Sequence, residues 1–340
     1  MLDANEDAFA YEAHALWIAS ERFGQPDSSA FAPPFQLRQM RYDFFNQQDE
    51  KHQHTGYMKF DRLNLKLNFA RTDIRVGRQA VSWGVGRFWQ PLDVFGAFNA
   101  TELIRDYKPG IDVINASYYP DDFSHINVIY AASTNSDDNL GLRYSRPIGK
   151  SIYTSFIVAN ILSNRIVGAS IESEVFDAGV YAEGIFSYDA HNMQHVFAIA
   201  GLEYQFDNEW LLTTEYYYNS RGADRTAALL PIVNTQFYQT GLVKQLSEQL
   251  AGLSLVKTVA PLLTVNYLWL SSLLGVAENY SLADYSSLHQ FTAIYSTSNE
   301  SDLRFSVTMA TGQKADTHGI IRSEFGHIPL TAGFLYRLYF

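Results

Sequence analysis

The chain of 340 residues contains no cysteine, which excludes disulfides, thiolate metal centres and cysteine nucleophiles. It lacks any run of about 18 apolar residues, so no segment reads as a membrane-crossing helix. Charged residues are only 18% of the chain, and the excess of acidic over basic side chains leaves a formal charge of −11. An acidic balance of this kind argues against a nucleic-acid partner. No Walker or dinucleotide fingerprint occurs. The start, Met1-Leu2-Asp3-Ala4-Asn5-Glu6-Asp7, lacks the basic and apolar regions of a secretory leader and reads as a start residue placed before a mature chain. What the chain has in excess is aromatic residues, 15% of the total, with 22 Tyr, 23 Phe and 5 Trp. That suits an all-β protein with aromatic girdles better than a helical enzyme. A membrane β-barrel is compatible with the absence of long apolar runs, because its apolar surface is spread over every second residue.

Alternation is the dominant pattern. Between Arg62 and Phe69, the polar residues Arg62, Asn64, Lys66 and Asn68 alternate with Leu63, Leu65, Leu67 and Phe69, so a strand would carry its apolar side chains on one face. Leu303, Phe305, Val307 and Met309 alternate likewise with Asp302, Arg304, Ser306 and Thr308. Val196, Ala198, Ala200, Leu202, Tyr204 and Phe206 oppose Gly201, Glu203 and Gln205, and Trp210, Leu212, Tyr216 and Tyr218 oppose Thr213, Glu215 and Asn219. A weaker case sets Leu263, Val265, Tyr267 and Trp269 against Thr264 and Asn266, with Leu268 and Leu270 blurring the polar face. Strands of a soluble sandwich also alternate, but they average about five or six residues. These run about ten, the length that crosses a bilayer when tilted. Aromatics gather near strand ends, as at Tyr118-Tyr119 and Tyr216-Tyr217-Tyr218, where amphipathic rings favour the membrane interface. The expected fold is all-β, a transmembrane antiparallel β-barrel.

Turn spacing predicts its size. Short connections fall at Arg71-Thr72-Asp73, Pro120-Asp121-Asp122, Arg146-Pro147-Ile148-Gly149, Val175-Phe176-Asp177, Asp207-Asn208-Glu209 and Ser298-Asn299-Glu300-Ser301; long ones fall at 82–111, 220–235, 273–285 and 312–329. Membrane barrels put short turns on the periplasmic side and long loops outside. With 35–47 as the first strand, about 16 strands follow (roughly 14–18), wide enough to hold an aqueous channel. Residues 248–260 read as a long periplasmic connection with room for a short helix. Two regions result. Residues 1–34 form an N-terminal segment that could be an extra strand, a helix or a plug, since 9–22 alternate weakly and break the strand parity. Residues 35–340 form the barrel.

The chain ends Phe334-Leu335-Tyr336-Arg337-Leu338-Tyr339-Phe340. Phe334, Tyr336, Leu338 and Phe340 share a face, and the last residue is aromatic. This ending resembles the C-terminal strand of Gram-negative outer-membrane barrels, in which Tyr336, Leu338 and Phe340 would serve as the signal for the barrel assembly machinery. The most distinctive segment runs Gly77-Arg78-Gln79-Ala80-Val81-Ser82-Trp83-Gly84-Val85-Gly86-Arg87 and on to Pro91-Leu92-Asp93-Val94-Phe95. With Asp61-Arg62-Leu63 upstream and Ser323-Glu324-Phe325-Gly326 near the end, it resembles a group of porin-like outer-membrane barrels that share a GRQxxSWGxG…PxDxF segment. The resemblance implies a location in the outer membrane of a Gram-negative bacterium, with membrane lipid as the surrounding partner. It leaves open a homotrimer or a periplasmic or surface partner protein.

A connection as long as 82–111, carrying several charges, is expected to fold inward rather than stand free in solvent. Arg78, Arg87, Asp93, Glu102, Arg105, Asp106 and Lys108 are then the candidates for the pore constriction, because rings of such charges set selectivity. The bland reading is that they pair with wall residues and merely pack the loop. On the strands, Arg62, Lys66, Arg75, Glu203, Glu215 and Arg304 should face the lumen; their mixed signs predict no strong ion preference. Asn135, Asp137 and Asn139 alternate like calcium ligands, but no bidentate Glu follows, so a plain turn is favoured and no metal is expected. No His is followed two residues later by Ser, the pattern of outer-membrane phospholipases and lipid A deacylases, and no other nucleophile and base stand in a recognisable spacing. The expected function is a non-enzymatic, cofactor-free channel for passive diffusion of small polar solutes. The alternative is a structural barrel or export conduit with its lumen or periplasmic face occupied by a partner protein.

Overall fold

The computed structural model describes residues 2–6, 9–23, 35–38, 40–48, 52–96, 108–133, 139–189, 193–224, 229–233, 235, 238, 243–273, 286–315 and 320–338. Eighteen strands lie among them. The first half holds β1 (Leu2–Glu6), β2 (Phe9–Phe23), β3 (Arg41–Gln48), β4 (His52–Phe69), β5 (Thr72–Gln79), β6 (Ile111–Tyr118), β7 (His125–Ala131), β8 (Asn139–Ile148) and β9 (Ile152–Ile161). The second holds β10 (Asn164–Val175), β11 (Ala178–Tyr188), β12 (Gln194–Gln205), β13 (Leu211–Asn219), β14 (Gln249–Ala260), β15 (Leu263–Ser272), β16 (Ser286–Ser298), β17 (Ser301–Thr311) and β18 (Thr331–Leu338). From β4 to β18 each strand pairs antiparallel with the next. On the far edge of β4 lies β2, and β1 lies on β2. Among the described residues β1 pairs only with β2, and β18 only with β17.

One position in the wall is shared. β2 occupies one edge of β4 along its whole length. The other edge is split: β5 pairs with Leu63–Phe69, and β3 pairs with the stretch from Gln53 to Lys59. β3 and β5 therefore stand end to end in one stave. At the junction Asp61 is bulged out of the β2–β4 register, and a bulge of this kind re-aims a side chain. The Asp61 carboxylate turns inward, buried, against the Arg62 guanidinium and the Gly110 N–H at 3.1 Å. Arg78 locks the same junction: its guanidinium is bidentate to Asp112 at 2.8 Å and donates to the carbonyls of Arg38 (2.6 Å) and Phe60 (3.3 Å). Gly77 beside it has φ +119°, where a Cβ would collide with the Leu63 carbonyl.

The burial pattern separates two faces. Leu63, Leu65, Phe156, Val158, Phe291, Phe305 and Phe334 are exposed, while their strand neighbours Arg62, Asn64, Ser155, Ile157, Gln290 and Arg304 are buried. Since exposed apolar side chains form a continuous outer surface, the strands are amphipathic in the sense a bilayer requires. The turns sort likewise, with tight connections between β4 and β5, β8 and β9, β10 and β11, and β14 and β15 at one end. Asp121 caps another of them: the N–H groups of Phe123 and Ser124 hold its carboxyl below the usual carboxylate range. The longest connections lie at the opposite end, which also carries the tight turn of β9 into β10 through Leu162 and Ser163, both with positive φ.

Several sequence expectations change. Residues 9–22 belong to a wall strand, β2, and the strand expected at 35–47 begins only at Arg41. The total exceeds the expected 16, at the upper end of the range. The supposed long turn at 248–260 is β14, and the short helix of the second half, Leu229–Val233, lies in the connection before it. β14 escaped notice because its inward positions, Leu250, Gly252 and Ser254, are apolar or small, so no polar alternation marks them. Phe340 lies outside the described residues; Tyr336 sits exposed on the outer face of β18.

Arg78→Ala should leave the Asp112 carboxylate unpaired at a largely buried junction and cost about 3–5 kcal/mol. The midpoint of heat modifiability on a gel, compared with the unchanged protein, measures this; an unaltered midpoint would show that Arg78 does not lock the stave.

Candidate functional site

β5 ends at Gln79, halfway up the wall, because β3 fills the stave above it. The chain leaves the wall there and residues 81–96 turn inward without helix or strand. Irregular backbone in a confined space leaves N–H groups that must find acceptors, and three carboxylates supply them. Asp93, within the loop, accepts from the N–H of Trp83 and of Gly84 (2.9 Å), from the Ser82 hydroxyl (3.3 Å) and from the Lys108 ammonium. Glu183 on β11 accepts from the N–H of Val85 (2.5 Å) and Leu92 (3.3 Å). Glu215 on β13 accepts from Arg87 (2.8 Å), Phe88 (3.3 Å) and Trp89 (2.8 Å), and from the Tyr181 hydroxyl (2.9 Å). Two of these anchors stand on the opposite wall, so the sheet curves round the loop.

Apolar packing completes the docking. Val81, Trp83, Val85, Phe88, Trp89, Leu92, Val94 and Phe95 are all buried, and they share one cluster with inward residues of β7 to β16 such as Ile129, Ile157, Phe197, Tyr217 and Leu268. Trp83 meets Phe95 edge to face at 5.2 Å and donates its indole N–H to Asn127 at 2.7 Å. Trp89 lies 5.1 Å from Tyr217. Small wall residues make room: a Cβ on Gly252 would stand 2.5 Å from the Phe88 ring, and one on Gly141 2.6 Å from Trp83. Between residues 81 and 96 only Ser82 and Arg87 remain exposed. The Ser82–Asp93 and Trp83–Phe95 contacts join the two halves of the GRQxxSWGxG…PxDxF segment to each other.

The loop divides the predicted residues. Arg78 is spent on the wall, and Asp93 and Lys108 pair with each other inside the loop. Arg87 alone of this group reaches open lumen: 42% exposed, it stands 3.3 Å from Glu203 and 5.1 Å over the Tyr181 ring. Glu102, Arg105 and Asp106 lie outside the described residues. Of the wall residues, Lys66 pairs with Asp73 at 3.2 Å and Arg75 stands 3.9 Å from Glu12, both partly exposed. Arg62 is buried against Asp61 and the Lys108 carbonyl, and Glu215 is an anchor rather than a lining charge. Arg304 is inward and buried. Asn139 is fully buried, and its side chain bonds the Leu162 N–H and the Ala131 carbonyl; 135 and 137 lie outside the described residues.

Two contributors went unnoticed in the sequence. Glu183 is the lone charge of β11, with Tyr181 and Ile185 on the same face; a single carboxylate at an inward, otherwise apolar position was the available signal. Arg143 on β8 projects into a cavity of about 400 Å³ below the loop, lined also by Ser145, Ser155, Ser170 and Glu172, and donates to the Ser155 hydroxyl at 2.8 Å. Among the described residues two serine–histidine contacts occur, Ser187–His195 at 3.4 Å and Ser287–His289 at 3.0 Å, but both serines are fully buried. At the end with the long connections, Glu324 clamps two of them together, accepting from the N–H of Leu246 (2.9 Å) and Ser247 (2.6 Å). Burial pushes its carboxyl up to about 7 against the pull of those donors.

No family model and no curated protein matches the chain. Solved structures do. The chain is similar to Pseudomonas aeruginosa OccK11 (OpdR) with 9% identity and a TM-score of 0.56, over 98% of this chain and 95% of that one. It is similar to Pseudomonas aeruginosa OccK5 (OpdH) with 8% identity and a TM-score of 0.54, over 90% and 93%. Acinetobacter baumannii OccAB2 aligns with 10% identity and a TM-score of 0.52, over 94% and 86%. These are outer-membrane porin structures, and the fold of this chain is porin-like.

Glu215→Gln replaces an acceptor of three backbone donors with a side chain that turns one N–H against them, costing about 1–3 kcal/mol per donor left unpaired. Trp83 and Trp89 would then become wetter, read as a red shift of tryptophan emission in the folded barrel; unshifted emission would mean the loop holds without this anchor. For Glu324 the folded state keeps its proton to higher pH than the unfolded chain does. Its stabilising contribution is therefore full below the ordinary value of 4.5 and falls as pH rises towards about 7. Relative to Glu324→Gln, the unchanged protein should lose up to about 3 kcal/mol between those limits, measured as thermal midpoints of both proteins at low and at neutral pH.

Proposed function

We propose that this chain is an outer-membrane channel of the porin type, passing small polar solutes by passive diffusion and performing no catalysis. The observation that carries the reading is the inward loop. It is docked against β7 to β16 and leaves Arg87 and Glu203 as a half-exposed pair of opposite charge in the lumen. On the side of β2, β4 and β5 the wall presents Glu12, Lys66, Asp73 and Arg75, all partly exposed. A solute passing there exchanges hydration for guanidinium, ammonium and carboxylate contacts, and sieving by the loop sets the size limit. Both signs line the path, so selectivity between anions and cations is weak. Among the described residues, the serines paired with histidine, Ser187 and Ser287, are fully buried, out of reach of a solute.

The alternative, a structural barrel or export conduit with its lumen or periplasmic face occupied by a partner protein, drew support from the unplaced residues 1–34. Of these, residues 2–6 and 9–23 are wall strands, which weakens that support. The remaining partners suggested by the resemblance, the assembly machinery acting on the C-terminal strand and a homotrimer, are kept as part of this proposal without bearing on the pore.

The test is conductance. Refolded protein in a planar bilayer should give steady single-channel steps in KCl that shrink as ion size rises. Arg87→Glu should shift the permeability ratio towards cations by about two- to fivefold, the effect of reversing one charge at a narrow polar site. A correctly folded, heat-modifiable barrel that stays silent would overturn the channel reading.

A further inference from the structure

The outer face carries a hollow that the channel reading does not use. At the upper ends of β8 to β11, away from the tight turns, a depression of about 570 Å³ is bounded by Leu140, Leu142, Val158, Val167 and Phe186. These residues face outward: Val158 and Val167 are 59% and 51% exposed, while their strand neighbours Ile157 and Ile166 are buried inside. Below the hollow the wall is low, because Ala169 on β10 pairs with Gly184 on β11, which pairs with Ala198 on β12.

Its upper rim is polar. Arg165 on β10 lies between Asn160 of β9 and Tyr188 of β11 in the register, on the same face as Val167. The Arg165 side chain is exposed, and among the described residues it makes no ion pair or hydrogen bond. The tight Leu162–Ser163 turn ends the wall directly above, so no long connection of this hairpin folds over the spot. A cation on a lipid-facing strand is tolerated near the interface and is drawn to anionic headgroups. Apolar hollow below, guanidinium, amide and phenol above: the arrangement has the polarity of a lipid standing in its own leaflet.

We infer that this hollow binds a phosphorylated, acylated glycolipid of the outer leaflet, with an acyl chain along Val158 and Val167 and the phosphate on Arg165. Charge complementarity selects the occupant: among the described residues the rim cation has no carboxylate partner, and a phosphate is a strong acceptor for a guanidinium. A second copy of this chain would bring an apolar wall to the hollow and leave Arg165 unpaired. The leaflet assignment rests on the proposed outer-membrane orientation, in which long connections face outward.

The experiment is native mass spectrometry of the full chain in detergent with added bisphosphorylated lipid A. One retained lipid per barrel is expected. Arg165→Gln should lower retention about fivefold, the weight of one cation at an anionic lipid surface. Arg146→Gln, an exposed arginine at the tight-turn end of the same wall region, should leave it unchanged. Val167→Trp should lower retention by filling the hollow while keeping the cation. Equal retention by the unchanged protein and Arg165→Gln would overturn the inference, as would undiminished binding of dephosphorylated lipid A. Phosphatidylglycerol held as tightly as lipid A would overturn the choice of glycolipid, and a dimer that excludes lipid would overturn the site. Conductance is independent of these outcomes: a silent barrel that keeps the lipid retires the channel and leaves this site standing.

Discussion

Seven backbone N–H groups of one irregular loop end on three buried carboxylates, and the interior of the molecule is organised around that fact. Asp93 gathers the loop on itself, while Glu183 and Glu215 receive it on the opposite wall. Without such acceptors an unstructured stretch could not sit among Ile157, Phe197 and Tyr217, because each orphaned donor would cost as much as the apolar contacts return. With them, the loop becomes part of the core. The aromatic payload of Trp83, Phe88, Trp89 and Phe95 can then fill the upper lumen and leave only Arg87 to mark its open edge.

The wall is built to release that loop. A full-height β5 would have carried the chain to the rim and turned it outward. Instead β5 stops after eight residues, β3 takes the upper half of the same stave, and Arg78, Asp112 and the bulged Asp61 weld the junction. The buried ion pairs there are a means of fixing geometry rather than a large source of stability. They hold the exit point of the loop at the height where Glu183 and Glu215 can reach it.

What could be read in the sequence follows from which solvent each face meets. Lipid demands an unbroken apolar surface, so the outward residues from Leu63 to Phe69 and from Leu303 to Met309 declared themselves by period alone. The inward faces obey no single rule. Where the lumen holds water, as at Lys66, Arg75 and Glu203, they are polar and the alternation is clean. Where the loop fills the lumen, Leu268, Leu270 and Leu250 face inward as well, which blurred β15 and hid β14. The loop itself was legible as an inward element, from its length and its charges, but the partners of those charges were not. Asp93 and Lys108 pair with each other across fifteen residues, and Glu183 stands between the apolar inward residues Tyr181 and Ile185. Pairing of that sort is set by three-dimensional approach and leaves no spacing to detect.

The distance along the chain between the loop and its anchors has a consequence for assembly. The bond from the Arg87 N–H to Glu215 joins residues 128 apart, and that from Val85 to Glu183 joins residues 98 apart. Closing such long loops is slow and entropically costly until the intervening strands are in place. The wall must therefore be laid down at least as far as β13 before the segment can settle, and until then the N–H groups of Val85, Arg87, Phe88, Trp89 and Leu92 lack the acceptors Glu183 and Glu215. The settling of this loop is thus a late and interior event, the chain finishing its own centre after most of its perimeter is standing.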